Sequence, residues 1–265
     1  MHAPRGSTST GSATASAQRA PHGRIALLAA LIALVVASWS YLVYEDWAMR
    51  HMNVVDMAMP GAGAWSPADL ALVFVMWAVM MVAMMVPAAA PAILIHRRLQ
   101  AARSPFVPAA SALFVAGYLL VWTSFSIVAT AAQWGLHNAA LVSPAAVLGN
   151  RFISGTLLIL AGLYQWSARK RLCLTACATP LAFLQAHWHE GAPGALRMGV
   201  THGAYCVGCC GLLMALLFVY GVMNLAWIFA LTLFVTVERL VAPGPWFGQV
   251  SGVTLAALGL VTLLG

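Results

Sequence analysis

Charge is scarce in this chain, and acidic charge scarcest of all. Six Asp and Glu stand against thirteen Lys and Arg in 265 residues, and the four types together make 7% of the sequence. A soluble globular domain carries about 25% charged residues, so that class is excluded. The basic residues are scattered between apolar runs and form no patch, which argues against a nucleic-acid partner. No GxxxxGK[ST] string is present, which excludes a P-loop ATP engine. Cysteine is limited to five residues, all in the second half of the chain. No internal repeat is visible.

What is present is apolar length: 62% of the residues are hydrophobic. About 20 apolar residues cross a bilayer as a helix. Seven spans are therefore expected, at roughly 25–44, 69–92, 109–132, 146–166, 202–221, 225–241 and 247–264. The fold class expected is an all-α, polytopic transmembrane bundle. Gly203 to Val237 carries no charge and is too long for one span, so Gly221-Val222-Met223-Asn224 is read as a turn within it. Ser66-Pro67-Ala68-Asp69 has the cap, the first-turn proline and the acid of a helix start. Ser143-Pro144 is read the same way before the fourth span.

Arg and Lys alternate between the gaps. Arg5, Arg19 and Arg24 precede the first span, Arg97, Arg98 and Arg103 follow the second, and Arg169, Lys170, Arg171 and Arg197 follow the fourth. The positive-inside rule then places the N-terminus in the cytoplasm of a cell bounded by an inner (plasma) membrane. Residues 1–24, rich in Ser, Thr and Ala, are expected to be a disordered tail. All five cysteines fall toward the inner side, where a reducing cytosol keeps thiols free.

Chemistry concentrates in His202-Gly203-Ala204-Tyr205-Cys206-Val207-Gly208-Cys209-Cys210-Gly211-Leu212-Leu213-Met214. On a helix, His202, Cys206, Cys210 and Met214 share one face, with Cys209 beside them. Imidazole, thiolate and thioether suit Cu(I); without the thioether they suit zinc. Packing of small buried cysteines is the alternative. Met76, Met80 and Met84 are stacked at i+4, and so are Met81 and Met85, which makes five Met in ten positions. They pack a core or form a thioether route selective for Cu(I). His51, Met52, Met57 and Met59, in the first outer loop, are candidates for outer metal capture. Cys173 and Cys177 share a helical face in the loop after the fourth span, where basic neighbours are expected to lower the thiol pKa. Glu238, beside Arg239, pairs with it or supplies a hard ligand or proton acceptor.

Several strings recur together: Met76-Trp77 through Met80-Met81, Ala83-Met84-Met85, Pro87, Pro91, Tyr164-Gln165, Lys170, Cys173-Leu174, Cys177 and Pro180. They continue with Gly199, His202-Gly203, Tyr205-Cys206, Gly208-Cys209-Cys210, Met214, Gly221-Val222-Met223-Asn224 and Glu238. In these the chain resembles a bacterial and archaeal family of predicted metal-binding integral membrane proteins, over roughly residues 65–240. Arg239 stands where that family usually has Lys, and Ala178-Thr179 replaces a more basic pair. The resemblance implies a multi-helix membrane protein with a metal site and brings no reaction with it.

Three functions are compatible with these features. The first is Cu(I) handling, as a carrier or as a factor delivering copper to a membrane enzyme, with zinc as the runner-up metal. The second is membrane oxidoreductase chemistry, by thiol exchange at the Cys206–Cys209 pair or by a copper site. The third is a non-enzymatic helical scaffold packed through Gly203, Gly208 and Gly211.

Overall fold

The computed structural model describes residues 11–51, 64–103, 107–143, 146–240 and 245–265. Every regular element among them is helical, apart from one isolated bridge between Val142 and Leu148. In chain order they are α1 (Gly11–Arg50), α2 (Pro67–Ala101), α3 (Val107–Asn138), α4 (Arg151–Gln165), α5 (Ala168–Ala178), α6 (Pro180–Ala186), α7 (Gly191–Ala215), α8 (Leu217–Tyr220), α9 (Leu225–Leu240) and α10 (Pro245–Leu264).

The all-α expectation holds, but the count of seven spans does not. Among the described residues, five stretches are long and apolar enough to cross a membrane: Gly23–Ala48, Pro67–Ala101, Val107–Asn138, Gly191–Tyr220 and Trp246–Leu264. The fourth and sixth expected spans fall short. The fourth is expected from residue 146, but Asn150 is the helix cap, its Oδ1 accepting from the Phe152 and Ile153 amides at 2.9 and 3.3 Å. That leaves α4 15 residues and α9 16, each under about 25 Å against ~30 Å of hydrocarbon. Hydropathy sees the apolar loop before Asn150 and cannot see that the loop is not helical. Of the segment expected to be a disordered tail, residues 1–10 lie outside the described residues, and α1 begins at Gly11.

Local rules account for the other boundaries. Ser66 Oγ accepts from the Asp69 amide, and the Asp69 carboxylate accepts from the Ser66 amide at 2.7 Å, closing a capping box on α2. Gly221 adopts φ 100°, which L residues resist, and turns the chain between α8 and α9. Ser167 caps α5 through the Lys170 amide, and Pro180 opens α6.

Small residues bring the site helices together. A β-carbon at Gly199 would collide with the Phe114 carbonyl, and one at Gly117 with the Leu196 carbonyl, so α3 and α7 cross backbone to backbone. Two reciprocal pairs, Gly155 with Gly259 and Gly162 with Gly252, do the same for α4 and α10. Packing of this kind drives helix association where lipid removes the hydrophobic incentive. The Met-rich face of α2 (Met76, Met80, Met81, Met84 and Met85) is buried in the centre, with Trp77 hydrogen-bonded to Gln133 of α3 at 2.7 Å.

Candidate functional site

Four helices deliver sulfur and one cation to a single buried point. The i, i+3 and i+4 spacing of Cys206, Cys209 and Cys210 puts all three on the buried face of α7, each at most 1% exposed. Cys209 and Cys210 donate to the Cys206 carbonyl at 3.1 and 3.0 Å, which fixes their rotamers. From α5, Cys177 brings its sulfur to 3.9 Å from that of Cys209. From α2, Met85 Sδ lies 3.9 Å from Cys210 Sγ. The Tyr118 hydroxyl of α3 spans both helices, donating to the Met85 carbonyl at 3.0 Å and standing 3.1 Å from Cys206 Sγ.

Arg239 reaches into this cluster from α9. Its Nη2 donates to Cys206 at 2.8 Å and lies 3.5 and 3.4 Å from Cys209 and Cys210. Its Nε and Nη1 find no partner among the described residues. The guanidinium is 5% exposed, and an isolated buried cation is costly. The sulfurs are the groups in contact with it that can carry negative charge.

The neighbouring Glu238 is placed otherwise. Its carboxylate holds Lys170 of α5 at 2.8 and 2.9 Å, in an ion pair with both side chains at most 3% exposed. The structure therefore does not bring Glu238 to the sulfurs, nor does it pair Glu238 with Arg239. Successive residues on a helix diverge by about 100°, so the two charges serve different faces.

The remaining expected residues divide. His202 is buried one turn before Cys206, among Phe183, Tyr118 and Phe114, with Nδ1 unpartnered among the described residues. Cys173 lies against α7, where a β-carbon on Gly208 would fall 2.6 Å from its sulfur. Met76, Met80 and Met84 are buried core; Met85, from the parallel stripe, is the methionine whose sulfur meets a cysteine. His51 is exposed at the end of α1, its ring stacked on Trp47. Met52, Met57 and Met59 lie outside the described residues.

The expected lowering of the α5 thiol pKa is reversed. Burial, and then the nearby Cys209, push the Cys173 thiol up despite Arg169. Cys177 is held well above the ordinary thiol range by hydrogen bonding to Cys206 and Cys209 and by burial. Of the basic neighbours in sequence, Lys170 is consumed by Glu238, and Arg169 lowers the Cys173 thiol by less than burial raises it.

Sequence reasoning missed Arg239 as a sulfur partner, Tyr118 as a bridge, and Met85. It also missed His96, which is fully buried and stacked on Phe114, with both ring nitrogens unpartnered among the described residues. Only Met85 carried a signal, as part of the i+4 pair with Met81.

Among the described residues, no group of three or more His, Cys, Asp or Glu side chains stands arranged to hold a metal ion. The sulfurs instead meet pairwise, around a guanidinium nitrogen that takes the cationic position between them. Thiolate with thioether is a donor set for Cu(I), and the chemistry of the residues fits that cargo. A cavity of about 150 Å³ beside it is lined by Pro87, Pro91, Cys177, Pro180, Thr236 and Arg239. The prolines remove the amides that would have bonded to the carbonyls of Ala83 and Pro87, leaving acceptors at this end of α2.

The sequence model of a family described as PpoB2, copper chaperone, matches residues 74–262. No curated protein matches the chain, and no solved structure does.

Proposed function

The chain belongs to the PpoB2 copper chaperone family, and we propose that it binds Cu(I) at the Cys206, Cys209, Cys210, Cys177 and Met85 sulfurs and passes it on within a membrane. The observation that carries this reading is the convergence of α2, α5 and α7 sulfurs on one buried point. A soft, monovalent ion is favoured there because thiolate and thioether are its preferred donors. His202 stands one turn away as a neutral nitrogen donor at the edge of the cluster. The Cys177 cavity gives a way in beside the prolines of α2.

Membrane insertion of the five apolar helices agrees with the composition, and the Arg and Lys residues before the first apolar stretch and after the second favour the inner (plasma) membrane with the N-terminus in the cytoplasm. Delivery is the reading favoured over pumping, since no nucleotide motif is present. The recipient is a copper enzyme, in or at the membrane.

The test is metal content. Detergent-solubilised protein is loaded anaerobically with Cu(I), and compared by elemental mass spectrometry with a Cys206→Ser/Cys209→Ser/Cys210→Ser variant. At least one copper per chain, lost in the variant, is expected. Zinc in place of copper would return the methionines to a packing role. The 3.9 Å approach of Cys177 and Cys209 favours a second reading, thiol exchange. That reading requires a Cys177–Cys209 disulfide in cells, detectable by thiol trapping.

A further inference from the structure

Whether a sulfur site takes a monovalent or a divalent soft metal is a question of charge as well as of donors. Each thiol that ligates loses its proton to solvent as the metal–sulfur bond forms, and no electron moves. Two thiolates holding Cu(I) carry one net negative charge; the same two holding Zn(II) carry none. In a buried site, uncompensated charge is what costs most.

Arg239 is the fixed charge at this point. Its Nη2 lies 2.8 to 3.5 Å from the three α7 sulfurs, and a metal bonded to any of them at ~2.3 Å is at most roughly 6 Å from that nitrogen. The nearest acid in sequence, Glu238, is already neutralised by Lys170 at 2.8 Å. The cation therefore acts on the cluster undiminished. With Arg239, two thiolates and Cu(I) sum to zero, whereas two thiolates and Zn(II) leave one positive charge.

We propose that Arg239 is the specificity-determining residue of this site, its buried, carboxylate-free charge making the sulfur cluster select a monovalent soft cation over a divalent one. The proposal rests on the copper reading above and deepens it. The guanidinium favours thiolate formation equally for either metal, so that contribution cancels in the ratio of affinities. Repulsion of the bound ion scales with ionic charge and does not cancel. One unit charge a few ångströms away in a medium of intermediate dielectric changes that ratio by about a hundred- to a thousandfold.

The experiment measures Cu(I), Ag(I) and Zn(II) affinities of full-length protein in detergent, by competition with chelators. It compares wild type with Arg239→Gln and Arg239→Lys. In Arg239→Gln, the Cu(I)-to-Zn(II) affinity ratio is expected to fall about a hundredfold or more, with Ag(I) following Cu(I). Arg239→Lys keeps the charge and changes the hydrogen bonds, so its ratio should stay within about tenfold of wild type. A ratio unchanged in Arg239→Gln, with copper still bound, overturns this inference alone. So does a ratio in Arg239→Lys that falls to zinc preference, and that arm stands even if Arg239→Gln fails to fold. A wild-type chain binding neither Cu(I) nor Ag(I) overturns the copper reading and this inference with it.

Discussion

Glu238 and Arg239 are adjacent in sequence, equally buried, and opposite in what they face. Glu238 closes an ion pair with Lys170 that ties α9 to α5, and its charge is spent there. Arg239, pointing the other way, offers a guanidinium to three sulfurs and leaves two of its nitrogens without partners. A neutralised pair is a structural tie; a cation held only among sulfurs stabilises negative charge on them. On the proposed copper reading, two residues of one short helix thus separate holding the fold from handling the ion.

The largest expected effect breaks the first half of that contrast. Lys170→Met strands the Glu238 carboxylate in the interior and should cost about 3–5 kcal/mol, read as loss of extractable, monodisperse protein. Lys170→Met with Glu238→Leu removes both charges and should recover most of it. Copper bound per folded chain should be unchanged in the double variant; a loss of copper there would erase the distinction between the two residues.

Breaking the second half should leave the fold and empty the site. Cys206→Ser keeps the size of the side chain and removes the sulfur closest to Arg239. Copper stoichiometry should drop by half or more while the thermal midpoint of the metal-free protein moves little. Midpoint loss with retained copper would make the cluster a packing feature.

The methionines sharpen the contrast at smaller amplitude. Met85→Leu preserves volume and removes the thioether that meets Cys210. Cu(I) affinity should weaken several-fold. The triple change of Met76, Met80 and Met84 to Leu should leave equilibrium affinity alone and tests their role as a route, through the rate of loading. Equal affinity losses in both variants would mean that sulfur position on α2 is immaterial.

The smallest effect concerns Cys173. Burial raises its thiol pKa, so less thiolate is present at neutral pH than for a free cysteine. Alkylation should be slow at pH 7 and approach the free-thiol rate only as pH rises past the ordinary thiol value. Fast alkylation at pH 7 would restore the influence of its basic sequence neighbours.

Much of the fold was legible because membrane helices announce themselves by apolar length. α1, α2, α3, α7 with α8, and α10 each contain a span read from hydropathy. The two misses differ in cause: 146–166 includes an apolar flank before Asn150 that is not helical, whereas 225–241 is helical almost throughout as α9 and is simply shorter than the bilayer core. The α7 motif was legible because its ligand spacing lies within one helix. Arg239, Tyr118 and Met85 were not, since each enters the cluster from a different helix, and their sequence neighbourhoods say nothing of that meeting. Basic residues around Cys173 misled for the same reason: proximity in sequence is not proximity of charge when Lys170 turns away to Glu238.

The sequence by itself determined that the chain is helical and apolar, that its cysteines and methionines cluster, and that three cysteines share one helical face, because those follow from composition and from the 3.6-residue period. Only the tertiary structure decided which methionine meets a cysteine, which acid is already paired and which cation is left for the sulfurs. Those outcomes depend on how α2, α5, α7 and α9 pack and rotate against one another. Between α5, α7 and α9 that is set by the close approach of Cys173 to Gly208 and by the buried Lys170–Glu238 pair, contacts between residues far apart in the chain.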